Sequence, residues 1–74
     1  MSAYNLPRNA QNEMERSVAS TMQIEAYCKL FDAACLLGSK IEMQRAEVGL
    51  HQAVQNYLDS TQAKYAIIRS QMRE

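Results

Sequence analysis

Seventy-four residues and 8.4 kDa make one small domain at most. Eight basic residues balance eight acidic ones, which excludes a nucleic-acid binder driven by bulk charge and leaves no field to steer the chain to an anionic membrane. Ten of the apolar residues are Ala, and a domain near this size buries only about 60% of its unfolded surface, so it needs a staple or a partner. Two Gly and one Pro are too few for the turns of an all-β domain. The longest apolar run, Ala33 to Leu37, cannot span a bilayer, and no apolar signal core follows Met1. The chain therefore reads as soluble and cytoplasmic.

Residues 1–8 read as a flexible N-terminal arm, since Met1 to Leu6 show no periodicity. Pro7 suits the first turn of a helix, where its missing N–H costs nothing. Asn5, Asn9 and Asn12 are candidate caps, and Glu13 and Glu15 suit a nearby helix N-terminus. Helix 1 is expected from about residue 9 to 37. Its apolar stripe is Ile24, Tyr27, Cys28, Phe31, Ala34 and Cys35. A second line runs through Ala19, Ala26, Leu30, Ala33 and Leu37. At 100° per residue the two lines merge into an arc of roughly 220°, more than one neighbouring helix covers. Glu25 and Lys29 stand on the polar strip as an i,i+4 pair.

Gly38 marks the stop, as the residue most suited to the left-handed conformation just past a helix end. Ser39-Lys40-Ile41-Glu42 then matches a capping box. Stop and start abut, so the turn is residues 38–39 and helix 2 runs from about 40 to 73. The rival, one unbroken helix, places Gly38 in a helix interior at a cost of about 1 kcal/mol. On helix 2, Met43, Ala46, Leu50, Val54, Tyr57, Thr61, Tyr65, Ile68 and Met72 recur at steps of three, four and four. An 11-residue period would favour straight or slightly right-handed packing, but three repeats are few, and the expected reading is an ordinary 3.6-residue amphipathic helix. Folding back about the turn pairs residues whose numbers sum to about 77, with Phe31 near Ala46, Tyr27 near Leu50 and Ile24 near Val54. Toward the free ends the pairs turn polar, as with Ser17 and Thr61, so the open end is expected to be looser.

Reactive chemistry is sparse. Cys28 and Cys35 lie seven residues apart, about 10.5 Å along a helix, too far for a disulfide. They read as small buried hydrophobes, with a metal or intermolecular contact as the sharper alternative. His51 is the only His, and Glu47 one turn before it makes an ordinary surface pair. There is no phosphate loop, CxxC, HExxH or nucleophile elbow. No enzyme, cofactor or metal is expected.

The expected fold is all-α, a two-helix antiparallel hairpin that associates into a four-helix, coiled-coil-like homodimer. The expected function is a small non-enzymatic interaction module of bacterial or phage type, acting as adaptor, co-chaperone or anti-regulator. Four Tyr and five Met suit such a surface. The interface is placed on Ala26, Leu30, Ala33 and Leu37, with Ile41 and Val48 as a second apolar side. The alternative is a dimeric regulator contacting nucleic acid through Arg8, Arg16, Lys64, Arg69 and Arg73, which gather at the open end. In outline the hairpin is similar to the plasmid copy-number control proteins, which are dimeric four-helix bundles. It also resembles type III secretion co-chaperones and prophage antirepressors in size. No motif matches residue by residue, so no site carries over.

Overall fold

A computed structural model of the chain describes residues 7–71. Two long helices, α1 (Arg8–Leu37) and α2 (Lys40–Gln71), are joined by Gly38 and Ser39. Residues 1–6 of the arm proposed for 1–8, and the end of helix 2 at Met72 and Arg73, lie outside the described residues. Arg8, read as part of that arm, is already helical. Pro7 is extended at ψ 158°, and its carbonyl accepts the Gln11 amide at 2.9 Å. Asn9 and Asn12 therefore sit inside α1, and the Asn9 side-chain oxygen accepts the Ala10 amide at 2.9 Å. With the helix starting this early, Glu13 and Glu15 fall beyond the first turn, where the dipole has little hold on them.

The turn is built by local chemistry. Gly38 takes φ 71° and ψ 25°, which a Cβ would penalise. The Gly38 amide donates to the Cys35 carbonyl at 3.1 Å and the Ser39 amide to the Ala34 carbonyl at 3.0 Å, the paired closure of a Schellman motif. Ser39 Oγ then accepts the Glu42 amide at 3.3 Å, capping α2. The reciprocal half of the expected capping box is missing. The Ser39 amide is already taken by Ala34, and the Glu42 carboxylate pairs with Arg45 at 3.3 Å.

Contacts between the helices fix their antiparallel sense. Ser17 meets Ser60, Met14 meets Lys64, and Cys35 meets Met43, pairs whose numbers sum to 77 or 78. The molecule is a rod of 55 × 23 × 14 Å with a radius of gyration of 16.6 Å. A compact chain of this length would have a radius near 11 Å by the usual scaling, ~2.2·N^0.38. The 14 Å thickness is that of one helix with its side chains. The fold is therefore a single layer, and both broad faces are open.

The seam between the helices differs from the expected stripes. On α1 the residues withdrawn from solvent are Ala10, Glu13, Ser17, Ser20, Ile24, Tyr27, Phe31 and Ala34, in alternating steps of three and four. This is a heptad repeat, with Ala10, Ser17, Ile24 and Phe31 at a and Glu13, Ser20, Tyr27 and Ala34 at d. On α2 the buried residues are Ala46, Ala53 and Ser60, seven apart. They occupy d, with Met43, Leu50, Tyr57 and Lys64 at a. The 11-residue period is thus excluded: a hairpin held in one register over 30 residues needs a repeat of seven to keep the same side inward. Val54 and Tyr65, part of the expected stripe, drift off the seam into exposure, while Ile68 stays half-buried at its edge. Cys28 and Cys35 are exposed, not buried.

Small residues do the burying. Among the described residues every fully enclosed position is Ala or Ser. Aligning each a with the opposing d sets Phe31 across from Ala46, Ile24 across from Ala53, and Ala34 across from Met43. A small side chain in each layer lets the backbones approach, and the large partner lies over it. Tyr27 shows the limit of that approach. A Cβ added at Gly49 would fall inside van der Waals contact of the Tyr27 ring carbons. This explains a glycine in the interior of a helix, where it costs about 1 kcal/mol.

Candidate interaction surface

The heptad sorts the surface into two unlike broad faces. In an antiparallel pair the e positions of both helices flank the a positions on one face, and the g positions flank the d positions on the other. Three contacts agree with that sorting. Cys35 (e) touches Met43 (a) at 3.6 Å and Lys64 (a) touches Met14 (e) at 3.8 Å, while Tyr27 (d) packs over Gly49 (g).

The a/e face carries Ala10, Met14, Ser17, Thr21, Ile24, Cys28, Phe31 and Cys35 from α1. From α2 it carries Lys40, Met43, Glu47, Leu50, Val54, Tyr57, Thr61, Lys64, Ile68 and Gln71. Val54 and Tyr57 are each 37% exposed, and Met14 is 39% exposed. Val18, Leu58 and Tyr65 continue the apolar surface along its margins, all exposed. The d/g face carries Glu13, Arg16, Gln23, Glu42, Asn56 and Ser70, together with Tyr27, Leu30, Leu37 and Ile67 and smaller residues. On this face Arg16 pairs with Glu13 at 3.1 Å.

The six residues singled out from sequence are all exposed. Ala26, Leu30, Ala33 and Leu37 form a row along the outer edge of α1, on the d/g side. Ile41 and Val48 occupy the side of α2 directly opposite the seam. The two sets therefore do not form one patch. With Leu36, which is 90% exposed, Leu37 and Ile41 make an apolar tip around the turn. The shallow depressions on α2 are lined by Ile41, Gln44, Arg45 and Val48, and by Glu47, Val48, His51 and Gln52. Each lies on one helix with no facing wall, so neither encloses a small molecule.

Sequence reasoning passed over the a/e face because Met14, Val18 and Thr21 look unremarkable one at a time. The signal was the absence of charge at every seventh residue from Ala10 and from Met14. It passed over Gly49 too, since a lone glycine in a helix gives no hint of what packs over it. The open-end bases do not act as a set. Arg16 is engaged by Glu13, Lys64 lies in the seam beside Met14, Arg8 and Arg69 are exposed, and Arg73 is outside the described residues.

Comparison with known protein families, with curated proteins and with solved structures gives no match. The surface has to be read from its own chemistry. Among the described residues no helix is long and apolar enough to cross a membrane. Among them, too, no three His, Cys, Asp or Glu side chains gather as a metal site would require.

Proposed function

We propose that this chain is a small non-enzymatic protein-interaction module, of adaptor, co-chaperone or anti-regulator type. It works by packing its exposed apolar surface against helices of another polypeptide. One observation carries the reading: among the described residues no side chain larger than Ser is fully enclosed, while Leu30, Leu36, Leu37, Ile41, Val48, Leu58 and Tyr65 stand exposed. The chain exposes 5975 Å², against about 4600 Å² expected for a compact monomer of its mass. Apolar area left in water forgoes about 25 cal/mol per Å², so a partner helix has much to gain here. The row Ala26, Leu30, Ala33 and Leu37, the tip at Ile41, and Val48 are surfaces for such a partner, in addition to the a/e face.

Nucleic-acid contact is the weaker alternative, since the zero net charge and the Glu13–Arg16 pair leave little for phosphates. Urea unfolding at nanomolar concentration tests the proposal. The isolated chain should hold less than about 3 kcal/mol, as small domains without staples do, and should gain stability once its surface is covered. A concentration-independent stability above about 5 kcal/mol, in the range of self-sufficient domains, would refute it.

A further inference from the structure

Among the described residues the a/e face holds 18 helical positions, and three of them are charged: Lys40 at its turn end, and Glu47 and Lys64 along its length. Glu47 and Lys64 are opposite in charge, and neither is in an ion pair among the described residues. Their spacing is symmetric. The described part of α2 spans Lys40–Gln71, and its midpoint falls between Gln55 and Asn56. Glu47 lies as far before that point as Lys64 lies after it, about 13 Å each way at 1.5 Å per residue.

We propose that a second copy of this chain covers the a/e face, turned end for end about a two-fold axis through the middle of α2. The proposal rests on the interaction reading above and names its partner. Such an axis stacks α2 on α2 in opposite directions. It sets Glu47 of each copy against Lys64 of the other, twice, at the two ends of an apolar strip, and leaves Lys40 at the outer rim opposite Gln71 of the other copy. Nearest the axis, Val54 of one copy meets Tyr57 of the other, and these two are equally exposed in the single hairpin.

The other face-to-face arrangement, with both turns at one end, lays α2 over α1. The a/e positions of α1 carry no charge, so Glu47 and Lys64 would be covered without partners, which is costly. Charge complementarity thus selects the end-for-end form. The area suffices. A face of 55 × 23 Å offers on the order of 1,200 Å² in projection, above the roughly 800 Å² per partner of a standard stable interface. Cys28 and Cys35, exposed in the single hairpin, lie on this face and would be covered in the pair.

Sedimentation of the full chain at micromolar concentration, with circular dichroism to verify folding, tests this arrangement. The wild type should be a dimer. Glu47→Lys and Lys64→Glu should each weaken it by at least about tenfold, because each sets like charges together. The double exchange Glu47→Lys with Lys64→Glu should restore affinity to within about threefold, since it rebuilds both pairs with reversed sign. Leu30→Glu, on the opposite side, should leave the dimer intact. Thiol labelling of Cys28 and Cys35 should slow in the dimer and regain the free rate in Glu47→Lys. A folded monomer, a double exchange without rescue, or thiols that label freely within the dimer would each overturn the proposal. A monomer that is also marginal at nanomolar concentration would leave the interaction reading standing, with a different protein as the occupant.

Discussion

The two ends of the seam are packed alike but made of different chemistry. Near the turn, Ala34, Ala46 and Ala53 are enclosed by Ile24, Phe31, Met43 and Leu50, and no polar side chain is buried. Near the open end the enclosed residues are Ser17, Ser20 and Ser60, with Ala10 beyond them. The open end was expected to be loose. Instead Ser60 and Ala10 are both 0% exposed, so closeness of packing does not separate the two ends.

What separates them is how each offsets the cost of burial. An enclosed Ala only gains by leaving water, whereas an enclosed hydroxyl must find a partner. Ser60 donates its proton to the Tyr57 carbonyl at 3.0 Å. That leaves Ser60 Oγ as the acceptor from the Ser17 hydroxyl at 2.8 Å. Thr21 donates to the Ser17 carbonyl at 2.9 Å. Thr61 Oγ1 is buried with no hydrogen-bond partner. The open end is therefore as tight as the turn end but holds on by hydrogen bonds worth about 1 kcal/mol each, one of which is not made.

The largest effect belongs to the turn half. Gly49→Ala should destabilise the hairpin by about 1–2 kcal/mol, because the overpacking against Tyr27 outweighs the helix propensity gained. Adding Tyr27→Ala should make the glycine replacement favourable, which a denaturation series on the three variants would show. Equal losses with and without the ring would mean that Tyr27 is not what requires glycine.

The serine pair sharpens the contrast. Ser17→Ala or Ser60→Ala alone should cost about 1 kcal/mol, and the two together no more than either, since the double change leaves no hydroxyl stranded. Strictly additive losses in thermal unfolding would contradict a direct bond. The smallest effect is a gain. Thr61→Val keeps the shape and removes the unsatisfied hydroxyl, so it should raise stability by about 0.5–1 kcal/mol. A loss would show that Thr61 finds a partner in the assembled protein.

The sequence by itself determined the two helices, their junction and their register. Each of these rests on chemistry between near neighbours. Gly38 ends one helix because only glycine enters the left-handed region cheaply, and Ser39 starts the next because its hydroxyl reaches the Glu42 amide. A two-residue turn then leaves little freedom in register, and the Ser17–Ser60 contact carries it to the open end.

Only the tertiary structure decided which side faces inward and what is left outside. Reading by hydrophobic weight places Cys28, Cys35, Val54, Tyr65 and Ile68 in the seam, because large apolar groups gain most by burial. The helices instead close on Ala10, Ser17, Ser20, Ala34, Ala46, Ala53 and Ser60. Close approach of two backbones brings dispersion and shape into play along the whole length, and small side chains permit it. That choice turns the large residues toward the broad faces, and the a/e face with its Lys40, Glu47 and Lys64 exists only once the heptads of both helices are set side by side.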